Sequence, residues 1–443
     1  MARYTREDIL RMAEEEDVEF IRLQFTDMFG TMKNTAVTAG RLEQALDNAC
    51  TVDASSMEGF FRDEEEELYL HPVTDTFCIL PWRPQQGKVA RLICDVYRAD
   101  GTPYRESPRH ILERVKEQAE QKGYSFQVNP ECEFFLFHTD ENGRPTTVTH
   151  EQAGYMDLSP VDLGENARRD IVLTMEEMGY DVASSHHEIA PAQHEIDFTM
   201  ADVLETADKF MTFKVAVRTV AKRHGLHATF MPKPVAGVNG SGMHVNMALC
   251  KDGKNVFEDP EDELGLSREA YAFIAGIFAH IKGMTALFNP LVNSYKRLVP
   301  GFEAPSDITW SSSQRTAMVK VPGDRRKERV VELRSPDPSA DPYLVFALCL
   351  AAGLEGIEKG MELAPELKAD IRSLSEDEKK ELGIRSLPEN LNEALNEMEQ
   401  DAWIAQTLGG SFAEHYRKNK RSEWKDYSRQ VSDWELSRYL YRI

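Results

Sequence analysis

The stretch Ser185–Phe198 reads SHHEIAPAQHEIDF and carries three acids and three histidines. Its middle, Ala190-Pro191-Ala192, predicts a turn, because proline fixes its own backbone dihedral and has no amide hydrogen to give to a sheet. On both sides of the turn, acidic residues alternate with histidine or isoleucine, which is typical of short strands. The stretch therefore predicts a β-hairpin whose strands carry charged side chains.

The acids of this hairpin are expected to share faces with one another and with histidine. Side chains two residues apart on a strand point to the same side, so Glu188 lies with His186, and Glu195 lies with Asp197. Few lysines or arginines are nearby, and two like charges about 4 Å apart repel by roughly 4 kcal/mol at an effective dielectric of 20. Either the acids point into water or a divalent metal ion balances them. This stretch alone leaves both alternatives open.

Composition excludes several classes of function. The chain has 443 residues and a formal net charge of −23, which argues against direct binding to nucleic acid or to an anionic membrane surface. Six scattered cysteines with no Cys-x-x-Cys motif indicate neither a zinc site nor a disulfide framework. The charged start does not resemble a signal peptide, and the longest apolar run, Tyr343–Leu354, is too short to span a bilayer. We therefore expect a cytoplasmic protein in which this run forms a buried helix.

The order of predicted elements indicates an α+β protein with two domains, residues 1–104 and residues 105–443. Thr5, with Asp8 three residues later, predicts the start of a helix in the first domain. A polar, glycine-containing stretch, residues 52–62, is expected to be a functional loop. The remaining predictions for this domain are strands at residues 18–25, up to 37, 76–80 and 89–97, and a short helix at 41–48.

The second domain is predicted to begin with a helix capped by Ser107 and then a strand over residues 127–137. On that strand Glu131 and Glu133 share one face, while Cys132, Phe134 and Leu136 share the other, which reads as core. Further along the chain, we expect helices from Asp202 to Gly225 and from Ser267 to Asn289. Strands are predicted within residues 308–334.

Five glutamates and one histidine, spread over several predicted strands, form a candidate metal centre: Glu131, Glu133, Glu188, Glu195, Glu332 and His244. Ligands rich in carboxylate, with little imidazole and no sulfur, suit Mg²⁺ or Mn²⁺ better than zinc. The set exceeds the needs of one octahedral ion, so two or three ions are expected, as in phosphoryl transfer. For each glutamate alone a solvated strand face remains the alternative, and for His244 alone a core histidine.

A glycine-containing loop and three arginines are candidates for binding anionic substrate groups. The loop Asn239-Gly240-Ser241-Gly242 offers backbone amides that no large side chain obstructs, although such a short pattern is often an ordinary loop. Arg297, Arg315 and Arg334 are candidates to clamp a carboxylate or a phosphate through two parallel hydrogen bonds. Surface salt bridging is the alternative for each of them.

Taken together, these motifs resemble type I glutamine synthetase of the bacterial alpha subtype, which is not adenylylated. The resemblance covers nearly the whole chain. It rests on Asp53-Ala54-Ser55-Ser56 with Arg62, Glu131-Cys132-Glu133, the hairpin acids Glu188 and Glu195, the segment from Lys233-Pro234 through Asn239-Gly240-Ser241-Gly242-Met243-His244, the segment NSYKRLVPGFEAP at residues 293–305, and the segment ELRSPDP at residues 332–338.

The resemblance implies an ATP-dependent ligase that joins ammonia to L-glutamate through γ-glutamyl phosphate. It implies one metal held by Glu133, Glu188 and Glu195, and another held by Glu131, His244 and Glu332. The other roles that it implies are catalysis by Asp53, Glu303 and Arg315; glutamate binding by Asn239, Gly240, Arg297, Glu303, Arg315 and Arg334; ammonium binding by Asp53, Ser56, Tyr155 and Glu303; ATP binding by Asn246, Arg315, Lys320 and Arg325; and feedback inhibition by glutamine through Arg62.

The resemblance also implies the fold and the assembly. The expected fold is a small β-grasp-like N-terminal domain beside a catalytic domain built on a curved antiparallel half-barrel sheet with surrounding helices. The expected assembly is a dodecamer of two hexameric rings, with Asp53 reaching the active site of the neighbouring subunit. A nitrogen-regulatory transcription factor is a candidate partner of this subtype.

Two alternatives to glutamine synthesis stay open at this point. One is a γ-glutamyl ligase that uses an organic amine or a polyamine, although Asp53, Ser56, Tyr155 and Glu303 together favour ammonia. The other is a non-catalytic homologue. Ala248, Lys320 and Val330 depart from the family pattern on the nucleotide side, where Arg325 is close enough in sequence to compensate.

Overall fold

The computed structural model describes residues 3–57, 59, 67–83, 85–324 and 328–443. The candidate residues Arg62 and Arg325 lie outside these ranges. Within them, the chain builds two β-sheets, one of six strands and one of ten. Each sheet packs on an apolar core, and the larger core also takes in Met28, Leu80 and Trp82 from the N-terminal part of the chain.

The N-terminal elements are α1 (Arg6–Glu15), β1 (Val18–Thr26), β2 (Met32–Thr38), α2 (Leu42–Leu46), β3 (Cys50–Asp53), β4 (Glu67–Pro72), β5 (Cys78–Ile79) and β6 (Lys88–Tyr97). The sheet order is β2-β1-β6-β4-β3, with β5 paired to β6. The side chain of Thr5 caps α1 and Asp8 caps it in return, which confirms the predicted helix start. This is the β-grasp arrangement that was expected.

The second part of the chain carries ten further strands: β7 (Tyr124–His138), β8 (Val182–His187), β9 (Gln193–Phe198), β10 (Ala201–Asp202), β11 (Leu226–Thr229), β12 (Met243–Lys251), β13 (Lys254–Asn255), β14 (Trp310–Ser311), β15 (Val319–Lys320) and β16 (Val331–Leu333). Their order is β14-β15-β16-β12-β7-β9-β8. All pairs along this path are antiparallel except β14 with β15. The result is the curved half-barrel, with the long strand β7 near its middle.

Ten helices surround this sheet: α3 (Pro108–Gln121), α4 (Glu165–Glu177), α5 (Val203–Arg223), α6 (Arg268–Phe288), α7 (Pro342–Lys359), α8 (Glu376–Glu381), α9 (Leu391–Gln400), α10 (Ala402–Leu408), α11 (Gly410–Tyr427) and α12 (Asp433–Tyr439). The run Tyr343–Leu354 lies in α7 and is buried, as predicted. Helix α6 packs against α7. In the described part of the chain, α6 is the one helix that is long and apolar enough to cross a bilayer. Its apolar window is 78% buried, as in the core helix of a globular protein.

Three element predictions need correction. The sequence predicts a loop from residue 52, but Val52 and Asp53 complete β3, and β4 was not foreseen. The strand expected at 76–80 is reduced to β5, because a short 3-10 helix occupies Thr74–Thr76. The strands expected within residues 308–334 are only β14, β15 and β16, since serine, proline and glycine interrupt the segment with turns and bends.

Candidate active site

The central strand β7 brings the predicted metal ligands together by its register with its neighbours. Glu131 lies opposite His244 on β12, and Glu133 lies opposite Glu195 on β9. One strand further out, β16 adds Glu332 next to β12. On the far face of β7, Cys132, Phe134 and Leu136 are buried in the core. The predicted division of this strand into a face with the two glutamates and a core face is therefore confirmed.

The hairpin β8–β9 has the predicted turn. Its acids line the same cleft as Glu131 and Glu133 of β7. Ala192 takes a positive φ of 67° in that turn, and His186 lies opposite Glu195 across the two strands. Glu188 follows the end of β8. Glu133, Glu188 and Glu195 are 9%, 8% and 7% exposed. The alternative of a solvated hairpin is therefore wrong for these acids.

The first group of acids, Glu133, Glu188 and Glu195, has few positively charged side chains around it. Glu133 accepts hydrogen bonds from Gln193 Nε2 and from the Gly242 amide, both at 2.9 Å. Burial nevertheless raises the pKa of Glu133 to about 7. Burial and the neighbouring carboxylates, chiefly Glu133, also raise the pKa of Glu195 well above its ordinary value. His186 Nε2, at 2.9 Å from Glu188 Oε1, is the cationic partner that the described part of this group offers.

The second group consists of Glu131, Glu332 and His244, and its two acids have partners within the chain. His244 Nδ1 lies 3.2 Å from Glu131 Oε2, and Asn246 donates to Glu131 Oε1 at 2.8 Å. Burial acts to raise the pKa of Glu131, but these hydrogen bonds outweigh it and bring the pKa down to about 2. Glu332 accepts from Arg334 Nη1 at 2.6 Å and has Lys320 Nζ at 3.6 Å. The acids of this group therefore have hydrogen-bond or ion-pair partners within the chain.

One set of residues in each group fits a divalent cation. Ligand atoms of His186, Glu188 and Glu195 lie within 4.8 Å of one another, and so do those of the set Glu131, His244 and Glu332. Glu133, which was predicted together with Glu188 and Glu195, belongs to neither set. Carboxylate oxygens with one imidazole are a donor set that Mg²⁺ and Mn²⁺ accept. The sequence reasoning placed His186 on the face of Glu188 but did not nominate it. The spacing His186-x-Glu188 on a strand was the available signal.

A narrow cavity beside the first group gathers the residues expected to bind glutamate. It is lined by Glu133, Glu188, Asn239, Gly240, His244, Arg297, Phe302, Glu303, Ala304 and Arg334. Its volume is only about 20 Å³. Arg297 is 2% exposed and donates to the carbonyl oxygens of Ser335 and Arg334 at 2.8 and 2.9 Å. Surface salt bridging is therefore wrong as an explanation of Arg297.

The glycine loop has a steric reason for its composition. A Cβ on Gly240 would lie 2.3 Å from the carbonyl oxygen of Pro232, and a Cβ on Gly242 would lie 2.6 Å from Arg297 Nη2. Both distances are far shorter than real contacts, so only glycine allows the loop to approach so closely. The Gly242 amide donates to Glu133, which ties the loop to the first group.

Two further cavities open from the same cleft. One, of about 480 Å³, contains both groups of acids together with Tyr155, Glu303 and Arg315. In it, Arg315 Nη1 lies 3.8 Å from Glu303 Oε1. The other, of about 560 Å³, is lined by Asn246, Lys320, Val330, Glu332 and the segment Val321–Asp324, on the side predicted to bind nucleotide. Lys320 and Glu332 border both cavities, so the two lie side by side.

Asp53 and Ser56 do not line this cleft, although the structure describes both. Asp53 ends β3, is exposed, and accepts hydrogen bonds from the side chains of Ser55 and Ser56 at 2.6 and 2.8 Å. These hydrogen bonds lower the pKa of Asp53, so it carries its charge. The structure of one chain therefore leaves the predicted ammonium residues in two separate places.

Comparisons with known proteins agree over the full length. The family model described as "Glutamine synthetase, catalytic domain" matches residues 105–439, and "Glutamine synthetase, beta-Grasp domain" matches residues 17–99. The chain is 57% identical to "Glutamine synthetase" of Clostridium saccharobutylicum over 440 residues, 99% of each protein. It is 50% identical to the Staphylococcus aureus (strain Mu50) protein of the same name over 438 residues, 99% of this chain and 98% of that one.

The chain belongs to the glutamine synthetase family. The fold agrees as well: it superposes with a TM-score of 0.88 on a solved structure entitled "GmaS/ADP complex-Conformation 1", at 34% identity over 98% of this chain and 99% of that one. The chain is therefore a glutamate–ammonia ligase of this family, and the expected β-grasp and half-barrel architecture is confirmed. The two alternatives, an organic-amine ligase and a non-catalytic homologue, are not favoured.

A buried pair that was not predicted from the sequence, Glu151 with His187, lies next to the predicted metal ligands. Glu151 accepts from His187 Nε2 at 2.8 Å, from the Leu163 amide at 2.9 Å, and from the Ala192 amide. The other nitrogen, His187 Nδ1, lies 2.6 Å from the carbonyl oxygen of Glu188. The pair therefore connects the loop that follows Glu151 to the turn of the β8–β9 hairpin and to the backbone of Glu188, a predicted metal ligand. No local sequence signal links residue 151 to residue 187.

Proposed function

We propose specific residue roles for the ligation of ammonia to glutamate in this chain. The observation that carries the proposal is that three neighbouring cavities share lining residues: the narrow glutamate cavity, the cavity with the two groups of acids, and the nucleotide-side cavity. Glutamate would enter from one end and ATP from the other, so their reacting atoms would meet at the acids. A solved relative with 34% identity is entitled as an ADP complex, which supports the nucleotide side.

Each group of acids would hold at least one divalent ion, Mg²⁺ or Mn²⁺, with Glu133, Glu188 and Glu195 in one set and Glu131, His244 and Glu332 in the other. We add His186 to the first set on the strength of its position. Bound ions would supply positive charge to the phosphate oxygens of ATP and of the acyl phosphate that ammonia attacks. A third ion remains part of the proposal, because Glu133 and Asp197 offer further oxygens in the cleft.

Glutamate would be held by charge and by shape. Arg297 and Arg334 line its cavity together with the backbone at Asn239 and Gly240. The cavity is closed by Phe302, Glu303 and Ala304, and Lys233 Nζ lies 3.6 Å from the centre of the Phe302 ring. We therefore expect the segment 301–304 to open for glutamate and to close over it. Closure would keep water away from the acyl phosphate.

In the first step, an oxygen of the glutamate γ-carboxylate attacks the γ-phosphorus of ATP, and the bond to the β-phosphate oxygen breaks to release ADP. Arg315 would stabilise charge on the transferring phosphoryl group, and Asn246, Lys320 and Arg325 would bind the nucleotide. In the second step, ammonia attacks the acyl carbon and phosphate leaves. The anionic side chains Glu303 and Asp53, with Tyr155 and Ser56, would attract ammonium and accept its proton.

The separation of Asp53 from the cleft supports an active site shared between subunits. Mixing Asp53→Ala subunits with Glu133→Ala subunits and reassembling them should restore part of the activity, because some interfaces would pair two intact halves. The matched control is each variant reassembled alone, which should stay inactive. Mixed assemblies with no more activity than the two separate variants would contradict the shared site.

Exposed apolar surface at two places supports the dodecamer. The loop next to the cleft exposes Met156, Leu158, Val161 and Leu163, and the C-terminal segment exposes Trp434, Leu440, Tyr441 and Ile443. Continuous apolar surface of this kind is usually covered by another subunit. We propose two hexameric rings, with the neighbour's Asp53 loop near the first surface. Light scattering that gives a monomer would reject the assembly.

The remaining assignments are the domain boundary, the location and the regulation. We place the boundary near residue 104, between the spans matched by the two family models. Six free cysteines suit a reducing cytoplasm.

Arg62 would make the enzyme sensitive to feedback by glutamine. Arg62→Ala should then weaken glutamine inhibition by roughly five- to a hundredfold with little change in turnover, and superimposable inhibition curves would reject this role. A nitrogen-regulatory transcription factor stays a candidate partner.

The direct test of the proposed function is phosphate release from ATP and glutamate with different amines. Ammonium should support turnover far better than methylamine, ethylamine or a polyamine. The control omits glutamate and should release little phosphate. A clear preference for an organic amine would reject glutamine synthesis, and the absence of turnover with every amine in an intact assembly would favour a non-catalytic homologue.

A further inference from the structure

A second cavity lies away from the catalytic cleft, where the β1–β2 turn of the N-terminal sheet meets the helices. Its volume is about 470 Å³, within the range of small-molecule sites. The turn forms one wall, and α5, the start of α7 and α11 form the others. None of the proposed metal, glutamate or ATP residues that the structure describes lines it. What this junction cavity binds is therefore independent of the proposed catalytic roles.

Two basic residues of α5, Lys214 and Arg218, line the junction cavity one helical turn apart. Residues four apart lie on the same face of a helix, and two like charges at that spacing are unfavourable. Both side chains lie against one ring, because Lys214 Nζ is 5.9 Å and Arg218 Cζ is 5.2 Å from the centre of Phe230. Burial and the charge of Arg218 lower the pKa of Lys214 to about 8. The two cations therefore face the same space and repel each other.

Neither cation has an acidic partner in the part of the chain that the structure describes. No carboxylate there lies within 4 Å of Lys214 Nζ or of the Arg218 guanidinium, and neither side chain donates a hydrogen bond. Lys214 is 8% exposed, and its Nζ reaches the cavity rather than being sealed in the core. Lys420, the third basic residue of the lining, is already paired with Glu423 at 2.8 Å. A buried cation without an acceptor is unfavourable unless something from outside the chain completes it.

Asp341, the one acid among the described residues that line the cavity, does not balance these charges. Its Oδ1 caps α7 by accepting from the Tyr343 amide at 2.8 Å, and its Oδ2 is buried out of reach of the cavity. Burial raises the pKa of Asp341 to about 7, so near neutral pH it carries only part of a charge. The junction cavity therefore presents net positive charge, although the chain as a whole has a formal net charge of −23.

The rest of the lining is mostly apolar. The apolar residues come from the β1–β2 turn and from the helices on the other walls, among them Met28, Phe29, Met32, Met211, Leu287, Leu291 and Leu344. Such walls gain free energy from a hydrocarbon chain that leaves water, and methionine adapts to its shape. The cavity is therefore complementary to a small molecule with one negative charge and an apolar body.

We propose that the junction cavity binds a small aliphatic carboxylate. The ligand carboxylate would accept from Lys214 Nζ and from the Arg218 guanidinium, and would so relieve their repulsion. Its hydrocarbon chain would pack on the methionines and leucines of the other walls. An ammonium group on the ligand would find no acceptor, which sets this site apart from the proposed glutamate pocket. The ligand would contact both the β1–β2 turn and α5, so it would join the N-terminal and catalytic parts of the chain.

Calorimetry on the assembled enzyme with 4-methylpentanoate tests this proposal. Saturating L-glutamate is present throughout, so that a carboxylate bound in the catalytic cleft is not counted. 4-Methylpentanoate should bind at about one site per chain. Two matched probes separate its parts, since 4-methylpentanamide has the body without the charge and acetate has the charge without the body. Each should bind about tenfold more weakly or not at all. Equal binding of either matched probe, or no binding of 4-methylpentanoate, would overturn the proposal.

Two substitutions locate the site. Lys214→Met keeps a chain of similar length without the charge, and Arg218→Met removes the second cation. Each should weaken 4-methylpentanoate binding about tenfold or more. The control Lys222→Met removes an exposed lysine near the end of the same helix and should leave binding unchanged. Unchanged binding in both cavity variants would overturn the proposal.

Melting temperature and assembly size are measured first for each variant. If one variant fails to fold, the other variant and the matched probes still decide the question. A crystal structure grown with 4-methylpentanoate provides the last arm. Density for the carboxylate next to Lys214 and Arg218 supports the site. A cavity filled by ordered water alone, or by residues of a second copy of the chain, overturns it.

Discussion

Glu131 and Glu133 lie two residues apart on the same face of β7, yet their surroundings give them opposite acid–base behaviour. His244 and Asn246 stabilise the charge on Glu131 and bring its pKa down to about 2, against burial. Glu133 receives hydrogen bonds only from the neutral groups of Gln193 and Gly242, and burial raises its pKa to about 7. The acids of one group are therefore paired with charged or polar groups of the chain, whereas we propose that an external cation balances the group of Glu133.

The largest expected effect comes from removing the acid that depends on the cation. Glu133→Gln should lower kcat by about a thousandfold or more, because a buried amide cannot replace a charged metal ligand between substrates. The assembly should persist, since the amide can still accept from Gln193 and Gly242. Activity is measured at saturating Mg²⁺, with assembly size as the control. Near-normal turnover would break the assignment of Glu133 to the metal site.

The next effect should come from the buried pair that holds the backbone of Glu188. Glu151→Gln removes the charge behind His187 while preserving the shape, so the carbonyl of Glu188 loses a fixed partner. Metal affinity should fall roughly 10–100-fold, as for other residues that orient ligands, while kcat at saturating Mg²⁺ should change much less. The control Glu141→Gln alters an exposed acid in a nearby turn. An equal loss of kcat and of metal affinity would contradict a positioning role.

A smaller effect concerns pH and stability. Glu133 has a raised pKa in the native, metal-free protein, so the native state binds a proton between pH 4.5, the ordinary value, and about 7. The contribution of this group to metal-free stability therefore falls as the pH rises through that window. Mg²⁺ requires the ionised form, so its stabilising effect should grow over the same range. The increase in melting temperature with Mg²⁺ should be a few degrees greater at pH 7.5 than at pH 5.5.

The variant Glu133→Gln sharpens that prediction. Its Mg²⁺-dependent shift in melting temperature should vary less with pH than that of the unsubstituted protein. Glu131→Gln should retain the pH dependence, because Glu131 is already ionised throughout the window. The same pH dependence in the unsubstituted protein and in Glu133→Gln would show that another group is responsible.

The faces of β7 and of the hairpin could be predicted from the sequence, because strand periodicity alone places Glu131 with Glu133 and Glu188 with His186. The partners that set the charge of each acid could not. Gln193, Gly242 and Asn246 reach the acids through pairing between distant strands, which no local pattern encodes. The resemblance to a family supplied the proposed roles of Arg297 and Glu303 and the β-grasp arrangement of the N-terminal sheet. The residue pattern alone predicted β1, β2, β6 and a longer version of β5, but not β3 or β4.

Other features could not be predicted from the sequence, for physical reasons. The segment 308–334 forms only brief strands, since its place in the sheet is fixed by the pairing of β16, at its end, with β12 rather than by its own pattern. The Glu151–His187 pair joins residues 36 positions apart, and Lys214 and Asp341 line one cavity only because α5 and α7 pack side by side. Burial of charge, in each case, is a property of the assembled fold.

The central claim is that metal binding displaces protons from Glu133 and its neighbour Glu195, and not from Glu131. Proton release on Mn²⁺ binding can be counted at pH 6.5 by calorimetry in two buffers of different ionisation enthalpy, at Mn²⁺ concentrations that saturate each protein. The unsubstituted protein should release protons, Glu131→Gln should release the same number, and Glu133→Gln should release distinctly fewer. Unchanged release in Glu133→Gln together with reduced release in Glu131→Gln would contradict the account.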